Sequence, residues 1–196
     1  MLCSLRRVLD ILKRLVYAFN YITIEVIERL NRDDVGIVVI GKGVLKERLK
    51  SQIATTKRRK QILYYERIPN NELGSIYSRA NLFLLPTNYE IYGMVVMEAL
   101  ENGVPVISTP EAGPAYILSE EMYGTCLKLD VEKWCKEIEN RLLTPVTNDE
   151  KNNMRNYVNK KFRWQHIAVE YYNVLDKLLK GEPIKNSIAK KTEHAH

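Results

Sequence analysis

Apolar residues follow two rhythms along this chain, and the changes between them mark out the elements. From about Asp10 to Asn31, Leu12, Leu15, Val16, Phe19, Ile22, Val26 and Leu30 recur at the spacing of one helix face, which predicts a long N-terminal helix. Val35-Gly36-Ile37-Val38-Val39-Ile40 breaks that spacing and, ended by Gly41-Lys42-Gly43, reads as a strand buried on both faces. Similar short runs follow at Gln61 to Tyr64, Leu82 to Leu85, Val104 to Ser108 and Thr125 to Leu127. Helical stretches separate them, near Val44 to Thr55, Asn71 to Ser78, Gly93 to Glu101 and Val131 to Leu143. Buried strand alternating with helix predicts an α/β chain with a parallel sheet and helices on both faces.

After Thr144-Pro145 the pattern becomes wholly helical, from about Asp149 to Lys161 and from Trp164 to Leu179. The stretch from Gly181 to His196 is polar and basic without periodicity, and reads as a disordered tail. The expected organisation is therefore a sheet domain over 1–145, C-terminal helices over 146–180 and a tail over 181–196.

Composition changes this picture little. A chain of 196 residues, 45% hydrophobic and 28% charged, is that of one soluble globular domain. No apolar run approaches the roughly 20 residues that span a bilayer, and Arg6-Arg7 interrupts any signal-peptide core. Cys3, Cys126 and Cys135 match no metal or redox spacing and read as reduced thiols of a cytoplasmic protein. The net charge of +6 suits an anionic partner: a sugar nucleotide, a lipid headgroup or a nucleic acid. Lys57-Arg58-Arg59-Lys60 carries part of it, reads first as a solvated loop between helix and strand, and lacks the interleaved aromatics that single-strand binding uses.

The stretch from Tyr89 to Ile107 carries the most chemistry. It sets Glu90 and Glu98 on either side of a loop-to-helix junction, with Gly93 at the helix start. The first N–H groups of a helix have no intrahelical partner, and with the positive end of the dipole they form a site for phosphate. Glu90 before the helix and Glu98 about one turn inside it can accept hydrogen bonds on the two sides of that phosphate. A diphosphate with a sugar at one end and a ribose at the other fits the arrangement. On composition alone, Glu98 reads as a solvated glutamate on the helix face.

Glu90 through Glu98 resembles the E-x7-E signature of the retaining group 1 (family 4) glycosyltransferases, which have the GT-B fold. Asn71 to Pro86 resembles the segment leading into that motif, and Phe162-Arg163-Trp164-Gln165-His166-Ile167-Ala168 the family's closing helix. The resemblance runs from about Leu5 to Leu179. It implies the Rossmann-like, C-terminal donor-binding half of such an enzyme, with helices that pack back across an interdomain cleft. It further implies that Glu98 bonds the donor ribose and Glu90 the transferred sugar, while the amides of Tyr92, Gly93, Met94 and Val95 face sugar and phosphates. Ile91 stands where the family usually has a small residue.

Arg7 to Lys13 resembles the family's G-R-x5-K segment, in which the Arg and Lys grip the diphosphate; here Arg6 replaces the Gly. Cations on those oxygens stabilise charge that grows as the glycosidic bond breaks, which implies catalysis without a metal or other cofactor. Read without the resemblance, Arg7 and Lys13 are two basic residues at a helix start. Tyr64 to Pro69 resembles the F-x-G-x-[VI]-P turn against the nucleobase, with Glu66 in place of Gly, and implies base contacts from Arg67 and Ile68. Gly41 belongs to a G-x-G strand end near the same base. Retention in the family is taken to use front-face departure and attack, so Glu90 is catalytic without being a nucleophile.

The activity expected is transfer of a hexosyl group, with retention, from a UDP- or GDP-sugar to a glycan or lipid-linked acceptor in polysaccharide biosynthesis. The expected partners are the nucleotide sugar, the acceptor, a separate acceptor-binding chain and an anionic membrane at its inner face, with no nucleic acid. Two alternatives stand beside this: a nucleotide-sugar-binding subunit or truncated remnant without catalysis of its own, and an anion-binding α/β module with no sugar chemistry.

Overall fold

A computed structural model describes residues 14–18, 22–119 and 123–183. In chain order the described elements are β1 (Arg14–Ala18), α1 (Ile22–Leu30), β2 (Val35–Ile40), α2 (Lys46–Thr55), β3 (Ile62–Tyr65), α3 (Asn70–Tyr77), β4 (Leu82–Leu85), α4 (Met94–Glu101), β5 (Val106–Ser108), α5 (Ala112–Ile117), β6 (Gly124–Cys126), α6 (Val131–Leu143), α7 (Asn148–Phe162) and α8 (Trp164–Leu179). The strands form one parallel sheet in the order β3-β2-β1-β4-β5-β6. The chain builds outward from β1 to one edge, then returns to β4 and builds toward the other. The crevice beyond the carboxyl ends of β1 and β4 is thus the switch point where such sheets bind ligands.

The long helix expected over Asp10 to Asn31 is corrected: its described part is strand β1 followed by helix α1. Leu12 and Phe19 lie outside the described residues. β1 pairs with β2 on one side and β4 on the other, with Val16 opposite both Ile37 and Leu82. A strand hydrogen-bonded on both edges needs no polar alternation, so its apolar run passes for a continuation of the helical spacing. α1 ends at Asn31, whose φ of 48° lies in the left-handed region that Asn tolerates better than most residues.

Each strand buries alternate positions on opposite faces. On one face, Ile37, Val39, Leu82, Leu84 and Ile107 join Ile24, Ile27 and Leu30 of α1 and Trp134, Ile138 and Leu142 of α6 in a single apolar cluster. The intervening Phe83, Leu85 and Val106 are just as buried, and Phe83 meets the ring of Tyr77 in α3 edge to face, centroids 6.0 Å apart. Both faces are therefore covered, and a fully buried side chain of this size contributes about 1.5–3 kcal/mol. α6 starts at Asp130, whose carboxylate accepts from the Lys133 N–H at 3.0 Å. The Trp134 indole N–H donates to the Lys128 carbonyl at 3.1 Å, which satisfies the polar atom of a buried ring.

α5 is absent from the elements the sequence suggests, because Gly113 and Pro114 lie within its six residues. Pro114 sits in the first turn, where a missing N–H costs nothing.

The chain divides into two compact units, Met1–Asn156 and Tyr157–His196. In the second, the rings of Tyr157 and Phe162 meet edge to face at 5.7 Å, and Lys161 Nζ lies 5.0 Å from the Tyr157 ring centroid. α8 carries no buried residue, and Val169, Leu175 and Leu178 on it are exposed. Among the described residues, no helix is long and apolar enough to cross a membrane.

Candidate functional site

β4 delivers the chain to the switch point, and the segment after it is tied to the neighbouring strand end. The Thr87 N–H donates to Thr109 Oγ1 at 3.1 Å, and the Thr109 hydroxyl donates back to the Thr87 carbonyl. Glu90 follows. Its Oε1 accepts from the Tyr92 N–H at 3.2 Å and the Gly93 N–H at 2.9 Å. Gly93 is the N-cap of α4, with φ of 68°. The Val96 N–H returns to the Gly93 carbonyl at 2.9 Å. The N–H groups of Met94 and Val95 have no acceptor among the described residues.

Of the four amides expected to face a ligand, two are therefore held by Glu90 and two point forward from the helix start. The backbone dipole gives that point partial positive charge. The side chains of Tyr89, Ile91, Tyr92 and Met94 are exposed around it. Ile91 is therefore at the surface rather than packed into the core.

α5 closes the back of the junction. The Gly113 N–H donates to the Glu90 carbonyl at 3.2 Å. A Cβ on Gly113 would lie 2.5 Å from the Tyr92 carbonyl carbon and 2.6 Å from the Ile91 oxygen, so only glycine fits there. A Cβ on Gly93 would lie 2.9 Å from Ile117 Cδ1, in addition to the unfavourable φ. Sequence spacing alone does not identify Gly113, because its role depends on two loops that only the sheet brings together.

Glu98 lies on α4 beyond the junction. It is exposed as a residue, yet its carboxyl is partly withdrawn from water, and this desolvation raises its pKa above the ordinary value. A hydrogen bond from the hydroxyl of Tyr77 opposes the rise, and the charge of Glu101 adds to it. Tyr77, buried at the end of α3, is a site residue that the sequence reading missed. It lies within the segment leading to the motif, but only the fold shows its contact.

A second concavity, about 280 Å³, lies at the carboxyl end of β2. Gly41, Lys42, Gly43, Leu45, Lys46 and Tyr64 line it. The Tyr64 hydroxyl donates to the Gly41 carbonyl at 2.9 Å, and the Gly41 N–H donates to the Tyr65 carbonyl at 3.0 Å. Of the two residues read from the following turn, Arg67 is exposed, whereas the Ile68 side chain is in the core and leaves only its backbone to a ligand. Arg7 and Lys13 lie outside the described residues. Among the described residues, no group of three or more His, Cys, Asp or Glu forms a metal-ligand set.

The family model for glycosyl transferases group 1 matches residues 12–161. The chain belongs to this family. Among curated proteins, this group 1 glycosyltransferase chain is similar to a probable sucrose-phosphate synthase of Thermosipho melanesiensis, 32% identical over 112 residues that make up 54% of the chain and 25% of that relative. It is also similar to a GDP-mannose-dependent alpha-mannosyltransferase of Mycolicibacterium smegmatis, 27% identical over 99 residues, 50% of the chain and 25% of the relative. Among solved structures, the sucrose-phosphate synthase from Thermosynechococcus elongatus aligns with a TM-score of 0.72 at 19% identity, over 92% of the chain and 49% of that structure. The aligned chain resembles the C-terminal, Rossmann-like domain of a GT-B glycosyltransferase. These residues thus match about a quarter of the length of the two curated relatives and about half of the structure.

Proposed function

We propose that the chain is the donor-binding domain of a retaining glycosyltransferase that takes a nucleoside-diphosphate sugar and passes the sugar to a glycan or glycolipid acceptor. The observation that carries this reading is the α4 start: two open N–H groups at the switch point of the sheet, flanked by two glutamates.

In this reading the distal phosphate sits on the Met94 and Val95 N–H groups and in the field of the α4 dipole. Glu98, oriented by the Tyr77 hydroxyl, accepts the ribose hydroxyls. The base enters the concavity at the end of β2, between Gly41 and the Arg67-Ile68 backbone. Glu90 faces the transferred sugar from the junction itself. The leaving diphosphate gains charge as the glycosidic bond breaks. Open N–H groups aimed at it, with Arg7 and Lys13 as cations, stabilise the transition state more than the bound donor. No step in this account requires a metal. The relatives' printed names, a sucrose-phosphate synthase and a GDP-mannose-dependent mannosyltransferase, are compatible with donors of this kind.

A second reading is favoured by the Glu90 carboxylate, which is engaged by the Tyr92 and Gly93 N–H groups of the loop before α4. A chain with Glu90 held in that role binds the nucleotide sugar and leaves transfer to a partner that supplies the acceptor site. The exposed apolar residues of α8 would suit such a partner.

Thermal-shift measurements against UDP-, GDP- and ADP-sugars test the binding, since a ligand specific to the folded state raises the Tm. Multiple-turnover glycosylation by the purified chain tests the choice between the two readings. Holding donor and acceptor in reacting geometry is worth about 7–11 kcal/mol, so residues that bind donor alone are expected to hydrolyse it slowly and not to transfer it. Efficient transfer by the chain alone would reject the second reading. Absence of any nucleotide-sugar shift would reject both.

A further inference from the structure

Lys46 and Glu66 form a charged pair at the edge of the β2 concavity, and neither takes part in the α4 site. Lys46 is the first residue of α2 and lines the cavity wall. Its Nζ lies 2.5 Å from Glu66 Oε1, and Lys50 Nζ lies 3.5 Å from the same oxygen. Lys46 and Lys50 also approach Glu47, at 4.0 and 3.8 Å. Lys46 lines the cavity and Glu66 is tied to it by the ion pair; their side chains are 27% and 39% exposed, so the pair is open to solvent at the cavity's rim.

An ion pair this open to water adds little to stability. What it does provide is a fixed pattern: an ammonium donor beside a carboxylate acceptor. Glu66 stays ionised to lower pH than an ordinary glutamate because Lys46 hydrogen-bonds to it, so the pattern persists across the neutral range. The other walls suit a flat heterocycle. The Tyr64 hydroxyl is anchored on Gly41, which holds its ring in place. A Cβ placed on Gly43 would meet nothing within 4 Å, so the wall there is open to a planar group.

The spacing also fits. β2 lies two positions from β4 in the sheet, about 10 Å at the usual strand separation. A ribose and its diphosphate bridge such a gap between a base at β2 and a phosphate at the start of α4.

We infer that the Lys46–Glu66 pair reads the base of the donor and selects guanine. Guanine presents one acceptor, O6, beside two donors, N1–H and the N2 amino group. The carboxylate accepts both donors side by side while the ammonium donates to O6, as charged bidentate pairs do elsewhere. Lys50 remains to balance Glu66 when Lys46 turns to the base. Uracil presents a single donor, N3–H, between two carbonyl acceptors, so one carboxylate oxygen would face a carbonyl and lose its partner. Adenine offers one donor and one acceptor on the equivalent edge and fills half of the pattern.

This inference rests on the donor-binding reading above, and the test separates the two. Calorimetry on the full chain with GDP, ADP and UDP should rank GDP tightest, by about tenfold or more over UDP, the range that a hydrogen bond to a charged group implies. Glu66→Gln should remove that preference while leaving UDP affinity within about twofold. Lys46→Gln should lower GDP affinity in the same direction, with circular dichroism confirming that both variants fold. Equal or tighter binding of UDP by the unaltered chain overturns the inference and leaves the donor reading in place. So does a GDP preference that survives in both variants. Failure of all three nucleotides to bind removes the donor reading and this inference together.

Discussion

The Glu90 carboxylate lies 2.9 Å from the backbone nitrogen of Gly93, so the residue that precedes the junction also fixes the loop that leads into α4. One side chain thereby has two duties, to end a loop in a fixed shape and to present a charge at the switch point. Glu90→Ala should cost about 0.5–1.5 kcal/mol of stability for each loop hydrogen bond it removes. Urea unfolding would read it. Glu90→Gln keeps an acceptor oxygen for the same N–H groups and should recover most of that loss. If transfer or donor hydrolysis nevertheless stays low in the Gln variant, the charge itself acts in the chemistry.

Glu98→Ala should weaken nucleoside-diphosphate binding by about 1.5–3 kcal/mol, as expected for hydrogen bonds to a charged acceptor. Tyr77→Phe should weaken it less, because it removes only the hydroxyl that orients the carboxylate. Unchanged calorimetric affinity in a folded Glu98→Ala chain would end the ribose assignment.

The raised pKa of Glu98, caused first by desolvation, gives a pH signature. As pH falls, the folded chain takes up this proton before the unfolded chain does. Its contribution to stability is fully present below the ordinary glutamate value of 4.5 and is lost as pH rises through the folded value. Ligand binding runs the opposite way, since ribose hydroxyls donate to the carboxylate form: affinity should begin to fall at a higher pH than an ordinary glutamate would dictate. Glu98→Gln should flatten both profiles, and a binding profile with the step intact in that variant would disprove the link.

Gly113→Ala should destabilise more than Gly93→Ala despite the ordinary φ at Gly113. Its Cβ would strike backbone, 2.5 Å from the Tyr92 carbonyl carbon, whereas the nearest atom to a Gly93 Cβ is the end of the Ile117 side chain at 2.9 Å. Overpacking of this kind costs about 1–3 kcal/mol. Comparison of the two denaturation midpoints checks the order.

Arg7 and Lys13 are proposed to act on the diphosphate. Replacing either with Ala should therefore weaken nucleoside-diphosphate binding more than nucleoside-monophosphate binding. Equal losses for the two ligands, measured at one ionic strength, would reduce both residues to general surface charge.

Much of the architecture could be read from the chain itself, for identifiable reasons. The ends of α6 and α8, Val131–Leu143 and Trp164–Leu179, fall where the spacing places them. α6 has a capping Asp130 before it and Pro145 soon after. The buried run at Val35 to Ile40 is β2 over its full length. The N-terminal spacing is misleading because Leu15, Val16 and Ile22 keep a helical interval by coincidence across a strand and the helix after it. At the site, Glu90 and Gly93 fall on the β4–α4 junction and Glu98 on α4 itself. Their supports do not show in the sequence. Tyr77 reaches Glu98 from α3, and Gly113 reaches Glu90 from α5, and neither contact has a fixed interval along the chain.

The bonds that join Thr87 to Thr109 and Gly113 to Glu90 have a practical consequence. They stitch the segments after β4 and β5 into one mechanical unit, so a ligand that tightens the start of α4 also tightens the start of α5. The amides of Thr87 and Gly113 are therefore the positions at which occupancy of the proposed site is expected to show. Their hydrogen exchange should slow if a nucleotide sugar binds at the start of α4, which would allow binding to be followed at positions away from the ligand.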